Sequence, residues 1–443
     1  MTTQSNGPIA RLVRAATKVE PNEIRATVLS FAFLFMLMLA YNILKPVRDA
    51  MASDWSDPEV ATLWTINFFI SALAVSIYGI AVARLRFKYL VPGLYGFFAF
   101  SFLAFYVGSS AVEDAVYIEK SFYVWISVFS LFHISVFWSL MSDVFSKAQA
   151  PRLFAFIASG ASIGTLAGSS IPLFLANVIG TQNLMLIAAA VLVGIIPALG
   201  YLQKLKVTEL GNQNVEVDLN EQQSIGGNPF AGFTLLFKNP YLLGIAVFIL
   251  LYTAVGSFVY FELKNILEVF TRDERTTIWA GINTSINVIA IATAWFATGR
   301  ITTKLGLAKT LALVPVLVAI GLLVVAVNPI MAAIIAAQIV LKGGNYSVTR
   351  PGREMLYTVV DRETRFKAKP VIDIVVYRGG DTITGWAFAG LTAGLGLGLG
   401  VVAAIGAGIA LLWAITGVYL GRKYEKGSDS KNAAAVVAAG EGT

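Results

Sequence analysis

Long apolar runs alternate with short polar segments along the chain, and twelve of these runs predict membrane-spanning helices. They lie at 26–45, 60–82, 89–110, 121–142, 153–178, 183–202, 241–262, 276–298, 309–328, 330–346, 370–394 and 398–420. Several contain 20 or more residues, which is enough to cross a hydrocarbon core of about 30 Å as a helix. Strands of a transmembrane barrel would instead alternate apolar and polar positions. The pattern therefore predicts an all-α polytopic membrane protein.

The longest polar stretch divides the twelve spans into six and six. It contains GNQNVEVDLNEQQSIGGNP, a composition typical of a flexible linker. The first 25 residues show no short apolar stretch followed by a small-residue cleavage site, so we expect no cleaved signal peptide. The predicted organisation is a cytoplasmic arm at 1–25, a six-helix bundle at 26–202, a cytoplasmic linker at 203–240, a second six-helix bundle at 241–420 and a disordered cytoplasmic tail at 421–443.

Composition excludes several classes of protein. Hydrophobic residues make up 57% of the chain and charged residues 13%, whereas soluble domains hold about 25% charged residues. The many aromatic residues also exclude an intrinsically disordered chain. The absence of cysteine excludes disulfides and thiolate metal sites, and the single histidine, His133, excludes a multi-histidine metal site. We therefore expect no metal and no cofactor.

The excess of basic residues indicates membrane topology rather than a nucleic-acid partner. The chain has 33 Lys and Arg against 26 Asp and Glu, a net charge of +7. If both termini face the cytoplasm, most basic residues fall in cytoplasmic segments, with clusters at 84–88, 300–309 and 350–369. This asymmetry follows the positive-inside rule. We expect a monomeric, multi-pass protein of a bacterial inner membrane.

Two similar segments indicate an internal repeat. DWSDPEVATLW (54–64) follows the first span, and FTRDERTTIW (270–279) follows the seventh, with Trp64 and Trp279 separated by 215 residues. Many secondary transporters consist of two such repeats, with the substrate held near the membrane midplane. Taken singly, the tryptophans and acidic residues are also compatible with ordinary membrane-interface positions. Their shared order favours duplication.

Charged residues inside the first span are the first candidates for contact with a substrate. Lys45 and Arg48 lie three residues apart, hence on one helical face, with Pro46 between them and Asp49 beside them. Burial of a charge in lipid costs at least about 2.5 kcal/mol, so such residues usually serve a function. Two cations beside a distorted backbone are suited to clamping an anion. The alternative is that both side chains extend to the outer headgroups.

The second half contributes further charges within or beside its spans. These are Glu262 and Lys264 in the seventh span, Lys342 in the tenth, and Asp373 and Arg378 in the eleventh. Asp373 and Arg378 are five residues apart, which is unsuited to a pair within one helix, so we expect them to reach across helices. A structural network of ion pairs and direct contact with substrate both remain open for this group.

A pattern of small residues in the fifth span predicts close packing of two helices in the first half. Gly160, Gly164 and Gly168 form a repeated small-xxx-small pattern that permits close approach of another helix. We expect that helix to belong to the same bundle, with a homodimer face as the alternative.

His133 lies in an aromatic run of the fourth span. We expect it to be a hydrogen-bonded interior residue, with a proton relay as the alternative.

Three segments resemble the bacterial and plastid ATP/ADP translocases, a family of nucleotide transporters. ILKPVRD (43–49) resembles the signature of their first helix, and the segment 137–164 is similar to the connection between their helices four and five. The most specific resemblance is REMLYTVVDRETRFKAKPVIDIVVYRGGD (353–381), in which the matching positions are Arg353, Glu354, Met355, Tyr357, Asp361, Lys367, Lys369, Asp373 and Arg378. Family members place a Glu four residues before a Lys in helix seven, whereas Glu262 and Lys264 are two apart.

The resemblance implies a major-facilitator-type fold and nucleotide exchange. We therefore expect a secondary active transporter that exchanges nucleotides of the ATP/ADP type, or a related phosphorylated anion, by alternating access. The alternative is a proton-coupled facilitator for another small metabolite or drug, with Asp49, Glu262 or Asp373 relaying protons. An enzyme is not expected, because the sequence contains no Walker pattern, nucleophile elbow or HExxH motif.

Overall fold

Every predicted span is helical in the computed structural model, which describes residues 17–84, 87–146, 148–212, 231–296, 298–360, 364, 368–369 and 371–440. The helices are α1 Ile24–Met51, α2 Asp57–Arg84, α3 Phe87–Ala111, α4 Val116–Val144, α5 Ala150–Ile179, α6 Asn183–Thr208, α7 Pro240–Ile266, α8 Arg272–Phe296, α9 Thr298–Val327, α10 Met331–Gly344, α11 Tyr377–Ala389 and α12 Leu399–Gly440. The described ranges contain no strand. The expectation of an all-α fold with twelve spans is confirmed.

Nine helices within the described ranges are long and apolar enough to cross a membrane, namely α1 to α7, α9 and α12. The three remaining helices are α8, α10 and α11, and the last two belong to spans that are interrupted. α10 passes into a π-helical turn at Asn345–Thr349 and then a short helix at Arg350–Leu356. α11 lies between π-helical turns at Val371–Val376 and Gly390–Gly394. Such wide turns are frequent at functional sites, and these two spans carry most of the charged candidates of the second half.

The starts of α2 and α8 share one capping geometry. The backbone N–H and hydroxyl of Ser56 donate to Glu59 Oε2 at 2.8 and 2.7 Å. The same two groups of Thr271 donate to Glu274 Oε2 at 2.8 and 2.9 Å. Both are capping boxes, in which the acid three residues after the cap satisfies the free groups at the helix start. The common separation of 215 residues supports the internal repeat.

The structure forms two compact units whose bounds differ from the two predicted bundles. The first consists of Met1–Asp54, Phe69–Gln222 and Phe270–Thr284, and the second of Trp55–Phe68, Gln223–Val269 and Ser285–Thr443. The start of α8 therefore belongs to the first unit and the start of α2 to the second. The predicted bounds assumed that each bundle is one continuous stretch, whereas the starts of α2 and α8 pack within the unit of the opposite half.

The predicted linker (203–240) and the predicted tail (421–443) both contain helical residues. α6 continues to Thr208, and a short helix at Ala231–Lys238 lies in the predicted linker, whose part 213–230 is outside the described residues. α12 continues to Gly440, which lies within the segment 421–443 that the sequence predicts to be a disordered tail. The run of alanines in the tail explains the difference, because alanine has the highest helix propensity.

Glycines determine the closest helix contact of the first unit. A Cβ atom at Gly160 or Gly168 would lie 2.6 Å from the carbonyl oxygen of Phe31 or Leu39, and one at Gly164 would lie still closer to Phe35. α5 therefore packs directly on the backbone of α1. The prediction that these glycines serve packing within their own bundle is confirmed, since both helices belong to the first unit.

Candidate functional site

Arg48 is held in a fixed orientation inside the first unit. Its Nη2 atom lies 2.6 Å and its Nε atom 3.0 Å from Asp49 Oδ1, while Nη1 donates to Ser127 Oγ of α4 at 3.2 Å. The guanidinium carbon also lies 5.4 Å from the ring centre of Tyr123. The side chain keeps 17% exposure, against 3% for Asp49. Planar donors fixed in this way are suited to binding carboxylate or phosphate groups.

Lys45 lies one helical turn before Arg48 and contacts Asn283 of α8. Its Nζ atom donates to Asn283 Oδ1 at 2.8 Å. Asn283 is buried, and the same turn of α8 joins α5 through a hydrogen bond from Thr284 to Ser169 at 3.0 Å. The structure therefore places Lys45 at a contact between helices of the first unit.

Lys264 forms a buried ion pair in the second unit. Its Nζ atom lies 2.8 Å from Asp57 Oδ1, and the two side chains are 2% and 9% exposed. The other oxygen of Asp57 accepts hydrogen bonds from Thr392 at 2.7 Å and Asn265 at 3.2 Å. We call these four residues the second-unit clamp. It joins the start of α2 to the end of α7 and to the turn after α11.

The first unit has a matching cluster that sequence reasoning missed. Arg272, at the start of α8, donates to Asp54 Oδ2 at 2.7 and 3.0 Å and to both oxygens of Glu119 on α4. Arg275 donates to Asp54 Oδ1 at 2.5 Å. We call Asp54, Glu119, Arg272 and Arg275 the first-unit clamp. The repeated segments contained its signal, because positions 57 and 272 are 215 residues apart and carry opposite charges.

Glu262 is fully buried in α7, two residues before the clamp residue Lys264, and forms no ion pair with it. Neither of its carboxyl oxygens has a hydrogen-bond partner among the described residues, although the side chain has no exposure. A buried carboxyl group without partners carries a large desolvation cost. Such groups in membrane spans are usually retained for function.

Lys342 lies among aromatic residues of the second unit. Its Nζ atom is 5.5 Å from the ring centre of Tyr252 and 3.7 Å from the position that a Cβ atom would take at Gly256. The Tyr252 ring in turn packs against Trp413 and Tyr377, with centroid distances of 5.4 and 6.0 Å. A cation over an aromatic face is stabilised by about 0.5–2 kcal/mol, depending on its desolvation. Gly256 leaves room for the lysine head.

Four residues after α10 form a second ionic cluster of this unit. Arg353 Nη2 lies 3.3 Å from Glu354 Oε1 and 3.5 Å from Asp373 Oδ1, and Lys369 binds the other oxygen of Glu354. Although burial acts to raise the pKa of Glu354, hydrogen bonding and charge from Lys369 and Arg353 hold it below the ordinary value. The expectation that Asp373 pairs across elements is confirmed. No described contact brings Arg378 into this cluster, and Asp361 and Lys367 lie outside the described residues.

His133 occupies an interior position of the first unit. It is 3% exposed, its ring centre lies 4.6 Å from that of Tyr41, and Nδ1 lies 3.3 Å from the carbonyl oxygen of Phe129. This is the packed, hydrogen-bonded histidine that the sequence favoured over a relay.

Two solved structures share the fold of this chain. The crystal structure of the nucleoside transporter NupG gives a TM-score of 0.59 at 13% identity, covering 90% of this chain and 98% of that one. An aspartate-to-alanine variant of NupG gives a TM-score of 0.60 at 12% identity, covering 89% and 99%. A comparison with curated protein sequences finds no match.

The twelve-helix architecture agrees with a direct sequence match. The profile described as Major Facilitator Superfamily matches residues 29–352, which is most of the chain. The apolar helices indicate a multi-pass membrane protein, and the family indicates a secondary transporter. The chain belongs to the Major Facilitator Superfamily.

Proposed function

We propose that this transporter exchanges phosphorylated anions, of which nucleotides are the leading candidates, across a bacterial inner membrane by alternating access. The observation that carries the proposal is the orientation of Arg48. Its guanidinium group is fixed by Asp49 and Ser127 inside a membrane helix and retains 17% exposure. A preorganised Arg suits the oxygens of a phosphate group better than a mobile Lys does.

Lys45 and Lys342 add positive charge on two further membrane helices. Lys45 is positioned by Asn283 in the first unit and Lys342 by Tyr252 in the second. A nucleotide carries several negative charges, so fixed cations would offset the cost of its transfer from water. Uncharged cargo has no need of these residues.

The similar structures belong to a transporter of nucleosides, which are chemically related to the proposed cargo. NupG is a nucleoside transporter, and a nucleoside contains the base and sugar of a nucleotide without its phosphates. The fold is compatible with both cargoes. The choice between them depends on the cations of α1 and α10, and these favour the phosphorylated form.

The two clamps would provide the gates of the transport cycle. Each joins the start of α2 or α8 to helix ends of its unit through ion pairs. Conformational switches in other proteins repack ion pairs as rigid parts move, and a ligand that prefers one of two conformations shifts the population toward it. We propose that opening of one clamp accompanies release of cargo on the side that the charge distribution predicts to be outer. In this proposal both termini face the cytoplasm, and a single chain carries out transport as a monomer.

A second candidate function is a proton-coupled facilitator, and Glu262 favours it. A buried carboxyl group without hydrogen bonds changes its desolvation cost when it gains or loses a proton. Under this alternative, the proton gradient would drive transport of a different small metabolite.

Uptake into proteoliposomes separates the two candidates. Vesicles containing purified protein are loaded with ADP or left empty, and uptake of labelled ATP is followed with and without an imposed pH gradient. Exchange predicts uptake that requires internal nucleotide and is unchanged by the gradient. Uptake that requires the gradient and ignores internal nucleotide would instead support the facilitator, and protein-free vesicles provide the background.

A further inference from the structure

A groove between α9 and α12 carries an unexplained combination of apolar and cationic residues. It has a volume of about 750 Å³ and is lined by Ala312 and Val316 of α9 and by one face of α12. Three cations, Arg422, Lys423 and Lys426, close one end, and all three are exposed. From the geometry we infer that this groove binds one anionic phospholipid, with its phosphate at the three cations and an acyl chain along the apolar part.

Close packing of the two helices creates the groove. A Cβ atom at Gly417 would lie 3.1 Å from the carbonyl oxygen of Leu311, and one at Gly421 would meet the backbone of Ala308. The helices therefore touch along this glycine line, and larger neighbours such as Ile415 and Tyr419 stand beside it with 64% and 53% exposure. A chain of methylene groups fits beside such a ridge.

The three cations at the end of the groove are suited to binding an anion, because the nearby carboxylate of Glu425 is engaged elsewhere. Glu425, the one carboxylate within residues 411–426, accepts the backbone N–H groups of Leu307 and Ala308 at 2.8 and 3.3 Å. It thereby caps the part of α9 that follows the turn at Gly306, whose φ is 74°. Among the side chains that the structure describes, which end at Lys426 on α12, no carboxylate forms an ion pair with these three cations. Basic pockets between membrane helices are known binding sites for anionic headgroups.

The length of the groove matches one leaflet. Its lining on α12 runs from Leu411 to Lys426, which spans about 22 Å at the rise of an α-helix. Half of a bilayer with its headgroups is about 20–22 Å thick. Lys423 also lies 5.7 Å from the ring centre of Tyr419, and tyrosine is typical of the headgroup level. The cationic end is therefore where a lipid phosphate would lie.

Native mass spectrometry of the purified full chain tests the site. The protein is titrated with dioleoyl phosphatidylglycerol or dioleoyl phosphatidylcholine, and retained lipid is counted. We expect one phosphatidylglycerol to be retained with about tenfold preference, reduced to near parity in the variant Arg422→Gln, Lys423→Gln, Lys426→Gln. The matched control removes three exposed charges elsewhere, by Lys18→Gln, Lys204→Gln and Lys238→Gln, and should keep the preference.

A second variant separates a built site from general attraction to charge. Ala312→Phe fills the apolar part of the groove and leaves the cations in place, so it should also abolish retention. Equal retention of the two lipids by the unmodified protein, or loss of preference in the control variant, would overturn the inference. Displacement of the lipid by millimolar glycerol 3-phosphate would also overturn it, since the site would then be one for soluble anions.

Discussion

Lys264 and Asp57 form a buried ion pair although 207 residues separate them in the sequence. Their nitrogen and oxygen atoms are 2.8 Å apart, and Thr392 and Asn265 occupy the second oxygen of Asp57. Both oxygens of this carboxylate therefore accept hydrogen bonds. The pair fastens the start of α2 within the second unit, which makes it the first position at which to test the clamps.

Removal of one partner should destabilise the protein more than removal of both. Lys264→Met leaves Asp57 buried without its cation, which costs about 3–5 kcal/mol, whereas an apolar replacement of a complete pair is often close to neutral. We expect thermal unfolding in detergent to show a large decrease for Lys264→Met and substantial recovery when Asp57→Asn is added. Additive losses in the double variant would show that the two side chains do not interact.

Replacement of Arg48 should weaken binding of phosphorylated cargo. A lysine at this position cannot contact Asp49 and Ser127 together with a phosphate group, so we expect Arg48→Lys to lower affinity about tenfold. Fluorescence or calorimetric titration of the purified protein with ATP measures the change. Unaltered affinity, with an unaltered melting temperature, would contradict the role assigned to the guanidinium group.

The contact between α5 and α1 should not tolerate a larger side chain in place of glycine. Gly164→Leu would drive a side chain into the backbone of Phe35, so we expect an inserted protein with severely reduced transport. Gly200→Leu is the matched control, because Gly200 is exposed on α6 and has no atom within 4 Å of a Cβ position. Transport by the Gly164 variant at the level of the control would remove the packing argument.

Acid should weaken the contact between Glu23 and the start of α5. Glu23 is buried and binds Arg152 and Gln149. Burial acts to raise the pKa of Glu23, but these hydrogen bonds, with one from the backbone of Glu20, hold it below its ordinary value of 4.5. A lowered pKa means stabilisation that is complete above pH 4.5 and is lost as pH falls further. The difference in melting temperature between the natural protein and Glu23→Gln should therefore shrink below pH 4.5, and a constant difference would contradict this assignment.

Topology follows from the positive-inside rule and has a direct test. The natural chain lacks cysteine, so Glu113→Cys and Val269→Cys, both exposed at helix ends, can be labelled without background. We expect a membrane-impermeant maleimide to label both from outside intact cells, and Lys204→Cys only after permeabilisation. The reverse pattern would invert the orientation.

The helices were predictable because each is a long apolar run, and the repeat was visible in two polar segments. The π-helical turns around Asn345 and Asp373 were not, because they alter backbone hydrogen bonding without a change in hydropathy. The ion pair between Arg272 and Asp54 could not be predicted, because 218 residues separate the two positions in the sequence. Local spacing indicates pairs within a helix, but pairs between helices depend on packing that the sequence does not display. Asp373 is the partial exception, because its spacing from Arg378 excluded a local pair.

Counterflow with a graded series of cargo charges tests the central claim most directly. Proteoliposomes loaded with unlabelled cargo are supplied with labelled adenosine, AMP, ADP or ATP, using the natural protein and the variant Lys45→Ala, Arg48→Ala at matched reconstitution. The account predicts exchange of the phosphorylated compounds, little or no exchange of adenosine, and loss of exchange in the variant without loss of the folded protein. Equal exchange of adenosine and ATP that persists in the variant would contradict an anion site built on α1.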